Sequence, residues 1–260
     1  MTNDSTTLDL PAGMFRSADK PEETTVAMYR RKNNVGMVNV DVHFSEVNGI
    51  ALFEGDIWLG RADDVRTGVE TRGTAILGEQ FRWPSPNIPF VMEDAVRTRV
   101  EAAIAHWQTH TPFRFVPRDN QDDYISFEQQ DGCWSQVGRR GGEQVISIGP
   151  GCTAGSAIHE IGHALGLWHE QSRSDRDEHI TIVKANIDKR FEHNFDKHVL
   201  DGTDLGDYDY GSIMHYPPTA FSVNGQPTIL TKNGEPIGQR NGLSAGDIAA
   251  IRLLYPNFAW

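Results

Sequence analysis

The sequence of 260 residues predicts an α+β fold made of two subdomains, with a mixed sheet and a central helix, behind a loop-rich N-terminal segment. Two observations predict it. From residue 81, short apolar strands alternate with a long amphipathic helix, whereas regular elements become few beyond residue 170. At the join, residues 159–170 hold three histidines and two glutamates close together. This arrangement indicates a cleft between a helix-and-strand half and a loop-rich half.

Composition describes a globular protein and excludes two classes of partner. Hydrophobic residues make up 38% and charged residues 23%, which is ordinary for such chains. No apolar run approaches the ~18 residues of a membrane span, so we expect none. The net charge of −12 argues against nucleic acid, whose phosphates require a basic surface.

The N-terminal residues 1–73 differ from the remainder. They are rich in polar residues and glycine, and "VGMVNVDVHF" and "GIALFEGDIWLG" predict only short strands without a large core of their own. Arg72 and Gly73 precede a small apolar run, so we predict an exposed cleavage point between Gly73 and Thr74. The first residues show no basic start followed by an apolar run, so no signal peptide is visible.

The regular elements after residue 81 follow from local patterns. "IPFVM", "FRFVPR", "DYISFEQ" and "EQVISIG" predict strands. Residues 93–111 predict an amphipathic helix, because Val96, Val100, Ile104 and Trp107 recur at three- or four-residue steps. A second helix runs from a cap at Thr153 to Gly166, and a final helix begins after Ser244.

The second helix carries the candidate chemistry. His159 and His163 stand four residues apart and therefore share one helical face, where both rings can bind one ion. Glu160 lies about 100° around the helix, beside that ion. Gly166 tolerates the left-handed turn that would bring His169 back to the same point. The short form HExxH also occurs as two surface histidines beside a solvated glutamate.

The longer pattern HExxHxxGxxH, followed by Met214 in "SIMHY", is the metzincin signature of zinc peptidases. Met214 would form an apolar floor under the histidines, which is also the ordinary packing role of a buried methionine. The phenol of Tyr216 could reach the metal or a developing oxyanion. The other histidines lack ligand spacing. Composition alone leaves Cys133 and Cys152 as two free thiols.

From about Thr74 to its end, the sequence resembles the astacin family of zinc endopeptidases. The resemblance is carried by "TAILGEQFRWP", "GCWSQVGRRGG", "HEIGHALGLWHEQSRSDRD" and "SIMHYPPTAF". It implies a propeptide over 1–73 and a catalytic domain over 74–260, with subdomains 74–170 and 171–260. Glu160 is then the general base and later the acid for peptide hydrolysis, and one zinc ion is bound by His159, His163 and His169.

The same resemblance implies further roles. Tyr216 would be a fifth ligand at rest that moves to stabilise the tetrahedral intermediate, and Glu170 would anchor the new N-terminus of the mature enzyme. Cys133 and Cys152 would form a disulfide, which suggests a secreted protein. A second bridge of the family is missing, because Pro112 stands where one partner would be.

The segment "FEGD" resembles the FxGD motif of astacin propeptides, with Phe53, Gly55 and Asp56 in the matching positions. Asp56 would then bind the zinc in place of water and keep the full chain latent. Cleavage between Gly73 and Thr74, by another protease or by the chain itself, would release the activity.

Substrate proteins or peptides are expected to bind as an extended strand along residues 141–149. The alternative is a catalytically silent zinc-binding or adhesion domain on the same scaffold. A structural zinc protein, with a fourth protein ligand, also stays open.

Overall fold

A computed structural model of the chain describes residues 20–30, 37–67, 79–197 and 203–260, and the predicted Gly73–Thr74 cleavage point lies outside these residues. Within them the strands are β1 (Lys20–Arg30), β2 (Met37–Val47), β3 (Ile50–Phe53), β4 (Ile57–Arg61), β5 (Asn87–Met92), β6 (Arg114–Pro117), β7 (Tyr124–Glu128), β8 (Cys133–Trp134), β9 (Glu143–Ile148), β10 (Ile180–Ile182) and β11 (Ile229–Thr231). The α-helices there are α1 (Ala62–Thr67), α2 (Arg97–His110), α3 (Ala154–Ala164) and α4 (Ala245–Leu254).

The N-terminal segment forms an antiparallel sheet in the order β1-β2-β3-β4. The prediction of a loop-rich segment with only short strands is therefore wrong for its described part, since β1 and β2 have 11 residues each. The reason is readable in the sequence, because residues 38–44 alternate apolar and polar side chains. Asn48 and Gly49, with φ of 51° and 80°, make the two-residue turn that joins β2 to β3.

This sheet has only a small core of its own, as expected. The buried apolar residues of that core are Phe44, Ala51, Leu59, Ala62 and Val65. The sheet is also held by the rest of the chain: the Trp58 ring lies 5.4 Å from the Trp134 ring, and the Phe53 ring lies 6.2 Å from the Trp168 ring. Its position therefore depends on contacts with the larger part of the molecule.

The second sheet has the order β6-β5-β7-β9-β8. Strands β6, β5, β7 and β9 run parallel to one another, whereas the last strand, β8, is antiparallel to β9. The predicted α+β class with a mixed sheet is confirmed.

Strand β9 is an inner strand, because β7 lies on one side of it and β8 on the other. The prediction that residues 141–149 form the edge that receives a peptide is wrong for this reason. The edge on this side is β8, whose pairing with β9 sequence reasoning did not foresee. Ser135, directly after β8, pairs in parallel with Ile57 of the N-terminal segment.

Helix α2 packs against α3 as the amphipathic pattern predicts. Val100, Ile104 and Trp107 are buried in the main core, and the indole nitrogen of Trp107 donates to the carbonyl of Ile158 at 3.1 Å. The final helix α4 begins at the predicted cap, Ser244, whose hydroxyl accepts from the backbone nitrogen of Asp247.

Cys133 and Cys152 form a disulfide, with Cα atoms 5.9 Å apart. The implied pairing is confirmed, and the free-thiol interpretation is excluded. Cys152 directly precedes Thr153, the cap of α3, and Cys133 lies on the edge strand β8. The bond therefore ties the edge of the sheet to the start of the histidine-bearing helix.

The C-terminal half is poor in regular structure, as predicted. Its described residues before α4 contain the short pair β10-β11 and four 3₁₀ turns, namely Glu170–Ser172, Arg176–Glu178, Lys184–Asn186 and Lys189–Phe195. In the part of the chain described, no helix is both long and apolar enough to cross a membrane. The last of these turns brings His193 to 5.8 Å from His43 of β2, measured between ring centres.

We expect this contact to make the fold sensitive to acid. Burial, and then the neighbouring His43, lower the pKa of His193 from 6.5 to about 4. Since the folded pKa is depressed, the stability it contributes is present above pH 6.5 and is lost as the pH falls towards 4. His193→Gln should therefore reduce the drop in unfolding free energy between pH 7 and pH 5 by on the order of 1 kcal/mol in urea titrations.

His110→Gln is the matched control, since His110 is exposed and far along the chain on α2. It should keep the parental pH dependence. An equal drop in the parent and in His193→Gln would contradict the prediction.

Candidate metal centre

Helix α3 positions the first two histidines by its own end signals. Thr153 and Ser156 form a capping box, which satisfies backbone donors at the start. Gly166, with φ of 107°, ends the helix, and its nitrogen donates to the carbonyl of His163 at 2.7 Å. The chain then turns and brings His169 back over the helix, as the pattern predicts.

Four buried side chains meet at one point. The imidazole nitrogens of His159, His163 and His169 and a carboxylate oxygen of Asp56 all lie within 4.8 Å of one another. The Nε2 atoms of the three histidines lie 3.3, 3.7 and 3.2 Å from the Asp56 carboxylate, in chain order. The structure thus brings together the three predicted histidines and the aspartate of the FEGD segment.

The outer nitrogen of each ring is already occupied. His159 Nδ1 donates to the carbonyl of Ile213, and His163 Nδ1 donates to that of Leu167, both at 2.8 Å. His169 Nδ1 donates to a carboxylate oxygen of Glu54 at 2.8 Å. These bonds leave the Nε2 atoms as the lone-pair donors that point at the common centre.

This donor set fits a zinc ion. The Nε2 atoms of His159 and His163 are buried and have no hydrogen-bond partner among the described residues. Unpartnered buried nitrogens are costly, and a cation at the shared centre would satisfy them. Three imidazoles and one carboxylate oxygen are also the ligand types and the number that zinc accepts.

The charges of the four groups are strongly coupled. Burial alone would raise the pKa of Asp56, but the three histidines lower it below the ordinary carboxyl range. Burial alone would lower the pKa of His169, yet Asp56 and Glu54 raise it to about 9. Burial and the charge of Arg240 lower the pKa of His159 to about 4.

Glu160 lies next to the centre and is not one of the four converging groups. It is buried, and one of its carboxylate oxygens has no hydrogen-bond partner within the described ranges. Burial and the nearby charge of Asp56 raise the pKa of Glu160 well above its ordinary value. Such a group can accept a proton and return it.

Met214 lies directly under the helix. A Cβ atom at Gly162 would stand 2.8 Å from the Met214 sulfur, so the glycine lets the methionine approach closely. The carbonyl of the preceding residue, Ile213, is the partner of His159. The segment around Met214 therefore forms the floor of the centre and also orients one ring.

Tyr216 approaches from the C-terminal half. Its ring centre lies 4.7 Å from that of His169, and its hydroxyl donates to the backbone carbonyl of Glu54 at 2.5 Å. In this form of the chain the hydroxyl is thus engaged by the N-terminal segment.

Glu170 follows the third histidine but faces away from the centre. A carboxylate oxygen accepts from the backbone nitrogen of Asp209 at 2.8 Å, and Arg173 lies 3.6 Å away. Burial raises the pKa of Glu170 to about 8. Its proposed partner, the N-terminus at Thr74, lies outside the described residues.

Sequence reasoning missed two charged residues of the site. Arg240 is held by bonds to the carbonyls of His215 and Gln239, and its charge lowers the pKa of Glu160 against the effect of burial. A Cβ at Gly155 would lie 1.8 Å from the Arg240 carbonyl oxygen, so this glycine is needed for the approach. No local signal marks Arg240.

Glu54 is the second missed residue, although it stands inside the FEGD segment that the resemblance singled out.

Comparison with known proteins gives consistent matches. The sequence model of the astacin family of peptidases matches residues 76–256. Zinc metalloproteinase nas-13 of Caenorhabditis elegans is 39% identical over 273 residues, covering 90% of this chain and 58% of the relative. Meprin A subunit beta of Homo sapiens is 41% identical over 218 residues, covering 80% of this chain and 30% of the relative. The chain thus spans less than two thirds of either relative.

A solved structure agrees with these matches. High choriolytic enzyme 1, a hatching enzyme zinc-protease from Oryzias latipes, superimposes with a TM-score of 0.62 at 39% identity. The match covers 69% of this chain and 92% of the other.

We expect the full chain to bind one zinc ion through the converging groups. His163→Ala should weaken zinc affinity by at least about 100-fold, because it removes a buried ligand with an aligned lone pair. Competition with a chromogenic chelator measures this. His110→Ala, on an exposed position of α2, should bind as the parent does; equal affinity in His163→Ala would refute the ligand set.

Proposed function

Because the chain belongs to the astacin family, we propose that it is a zinc-dependent endopeptidase that cuts proteins and is made as a latent precursor. The observation that carries this proposal is the meeting of three histidine nitrogens with Glu160 beside them but outside the ligand set. This division of roles is what metal-assisted peptide hydrolysis requires.

Zinc in such a site supplies a Lewis acid that polarises the peptide carbonyl and acidifies bound water. Glu160 takes the proton of the attacking water and delivers it to the leaving amine. Its burial and raised pKa support this role, since a carboxylate in this environment gains from accepting a proton. The charge of Arg240 acts in the opposite direction and lowers the pKa of Glu160.

Tyr216 is proposed to stabilise the developing oxyanion. Its hydroxyl is a donor that lies beside His169, and in the described form it is used by the Glu54 carbonyl. Departure of the N-terminal segment would free this donor for the substrate.

The substrate backbone is proposed to bind along the edge after β8. Ser135 donates to the carbonyl of Asp56 at 3.0 Å and accepts from the nitrogen of Trp58 at 2.8 Å. An extended chain can therefore form backbone hydrogen bonds there, as in other cases of strand addition. This position replaces the one expected at residues 141–149.

The N-terminal segment is proposed to cause latency. Asp56 fills the centre that the substrate and water would need, and the residues after it occupy the edge. We propose that residues 1–73 act as the propeptide and that residues 74–260 form the catalytic domain, divided after residue 170. Cleavage between Gly73 and Thr74 would free a terminal ammonium for Glu170, whose buried carboxyl lacks a close cation other than Arg173 among the described residues.

We also propose that the protein works in an oxidising compartment, as a secreted enzyme would. The disulfide between Cys133 and Cys152 supports this, because such bonds are rare in reducing compartments.

Casein digestion by a trimmed chain that begins at Thr74 tests the activity. Glu160→Gln should keep one zinc ion per chain and the thermal stability of the parent, while turnover falls at least about 100-fold, because only the proton carrier is lost. Absence of digestion by the trimmed parent itself would favour the silent zinc-binding domain. Turnover near that of the parent in Glu160→Gln would overturn the assignment of the base.

Latency is tested on the full chain. Asp56→Ala should raise casein digestion and speed self-processing, because the carboxylate no longer occupies the centre. Asp63→Ala, an exposed carboxylate on α1 of the same segment, should leave both rates unchanged. Latency by this segment is refuted if the intact parent digests casein as fast as the trimmed form.

A further inference from the structure

Glu54 occupies an unusual place in the turn between β3 and β4. It is fully buried, and its φ of 47° lies in the left-handed region that disfavours residues with a side chain. A charged residue in such a conformation needs compensating contacts elsewhere.

Three hydrogen bonds from residues 169–216 supply such contacts. One carboxylate oxygen accepts from His169 Nδ1 at 2.8 Å, and the other accepts from the Ser172 hydroxyl at 2.5 Å. The backbone carbonyl of Glu54 accepts from the Tyr216 hydroxyl at 2.5 Å. Because a carboxylate at these distances can only accept, the ring of His169 is fixed with Nδ1 protonated and Nε2 turned to the centre.

His169 differs in this respect from the other two histidines. His159 and His163 bond to backbone carbonyls that belong to the same part of the chain as α3. The Nδ1 partner of His169 belongs instead to the N-terminal segment. The orientation of one ring of the centre therefore depends on a segment that the proposed activation would remove.

We propose that Glu54 is a second anchor of the N-terminal segment. Glu54 holds His169 at Nδ1, while Asp56 lies at Nε2 on the side of the centre. The proposal rests on the latency proposed above and adds a consequence to it. Departure of the segment removes the Nδ1 partner of His169, so activation reorganises the centre as well as unblocking it. Glu54 acts through His169 and is a positioning residue.

We expect Glu54 to hold the segment without metal. Measurements on the metal-free chain therefore distinguish its contribution from that of a bond between Asp56 and zinc. The nitrogens of Trp58 and Ser135 report whether the segment is docked, since each donates across the contact between the segment and the edge. Their hydrogen exchange can be followed in the full chain, both metal-free and with one equivalent of zinc.

In the metal-free full chain, Glu54→Ala should speed exchange at these two amides by about 10- to 100-fold, the range expected for losing a hydrogen bond to a charged group. Glu54→Gln should have a smaller effect, because the amide oxygen still accepts a bond. Asp63→Asn, an exposed acid of the same segment, should exchange as the parent does. Exchange at Ile104, in the core of α2, should stay unchanged in all variants.

Ring signals of 15N-labelled histidine give a readout that loss of packing alone would not move. In the zinc-loaded full chain, Glu54→Gln should shift the Nδ1 proton signal of one metal-centre histidine, that of His169, and leave those of His159 and His163 in place. Their partners are backbone carbonyls that the substitution does not touch.

Two results overturn the proposal: exchange at Trp58 and Ser135 within about two-fold of the parent in Glu54→Ala, or an unshifted His169 signal in Glu54→Gln. If Glu54→Ala also speeds exchange at Ile104, the test is made with the isosteric Glu54→Gln instead, by exchange at the amides of Trp58 and Ser135. Peptidase activity is not read in these measurements. An inactive trimmed chain would therefore refute the proposed function, whereas the role of Glu54 is tested independently by the exchange and ring-signal measurements.

Discussion

Three imidazole rings and a carboxylate share one small buried space, and much of the surrounding structure serves to hold them there. Unpartnered ring nitrogens are costly to bury, so a fold that aligns them gains by binding a cation. The capping box at Thr153 sets where α3 begins, and Gly166 sets where it ends. Met214 supports the helix from below, and its neighbour Ile213 orients the first ring.

The N-terminal segment is inseparable from this arrangement. Its own core is small, so the segment is held largely by contacts with the larger part of the molecule, such as those of Trp58 and Phe53 with Trp134 and Trp168. Asp56 and Glu54 contribute buried carboxylates that contact the histidines of the centre. Under the proposed latency, the contacts of Asp56 and Glu54 that hold the segment in place are the same contacts that would block the centre.

The disulfide connects two parts of the proposed substrate site. It joins the edge strand β8 to the residue that precedes the cap of α3. By the chain-entropy account, closing a loop of this size stabilises the fold by about 3 kcal/mol. A more local effect is that the backbone donors of the edge and the helix that carries His159 cannot drift apart.

Local rules allowed the sequence to determine much by itself. Periodicity predicted α2 and the shared face of His159 and His163, and the signals at Thr153 and Ser244 predicted where two helices begin. The Asn48–Gly49 pair is likewise a local signal, which predicts the hairpin between β2 and β3. Only the tertiary structure decided that β9 lies inside the sheet, that the charge of Arg240 acts on Glu160 and that Glu54 holds His169. Glu54 and His169 are 115 positions apart, and no period of a helix or strand reaches that far. Such contacts arise only when separate elements pack. The desolvation cost of a buried charge is offset by the partners that this packing places beside it.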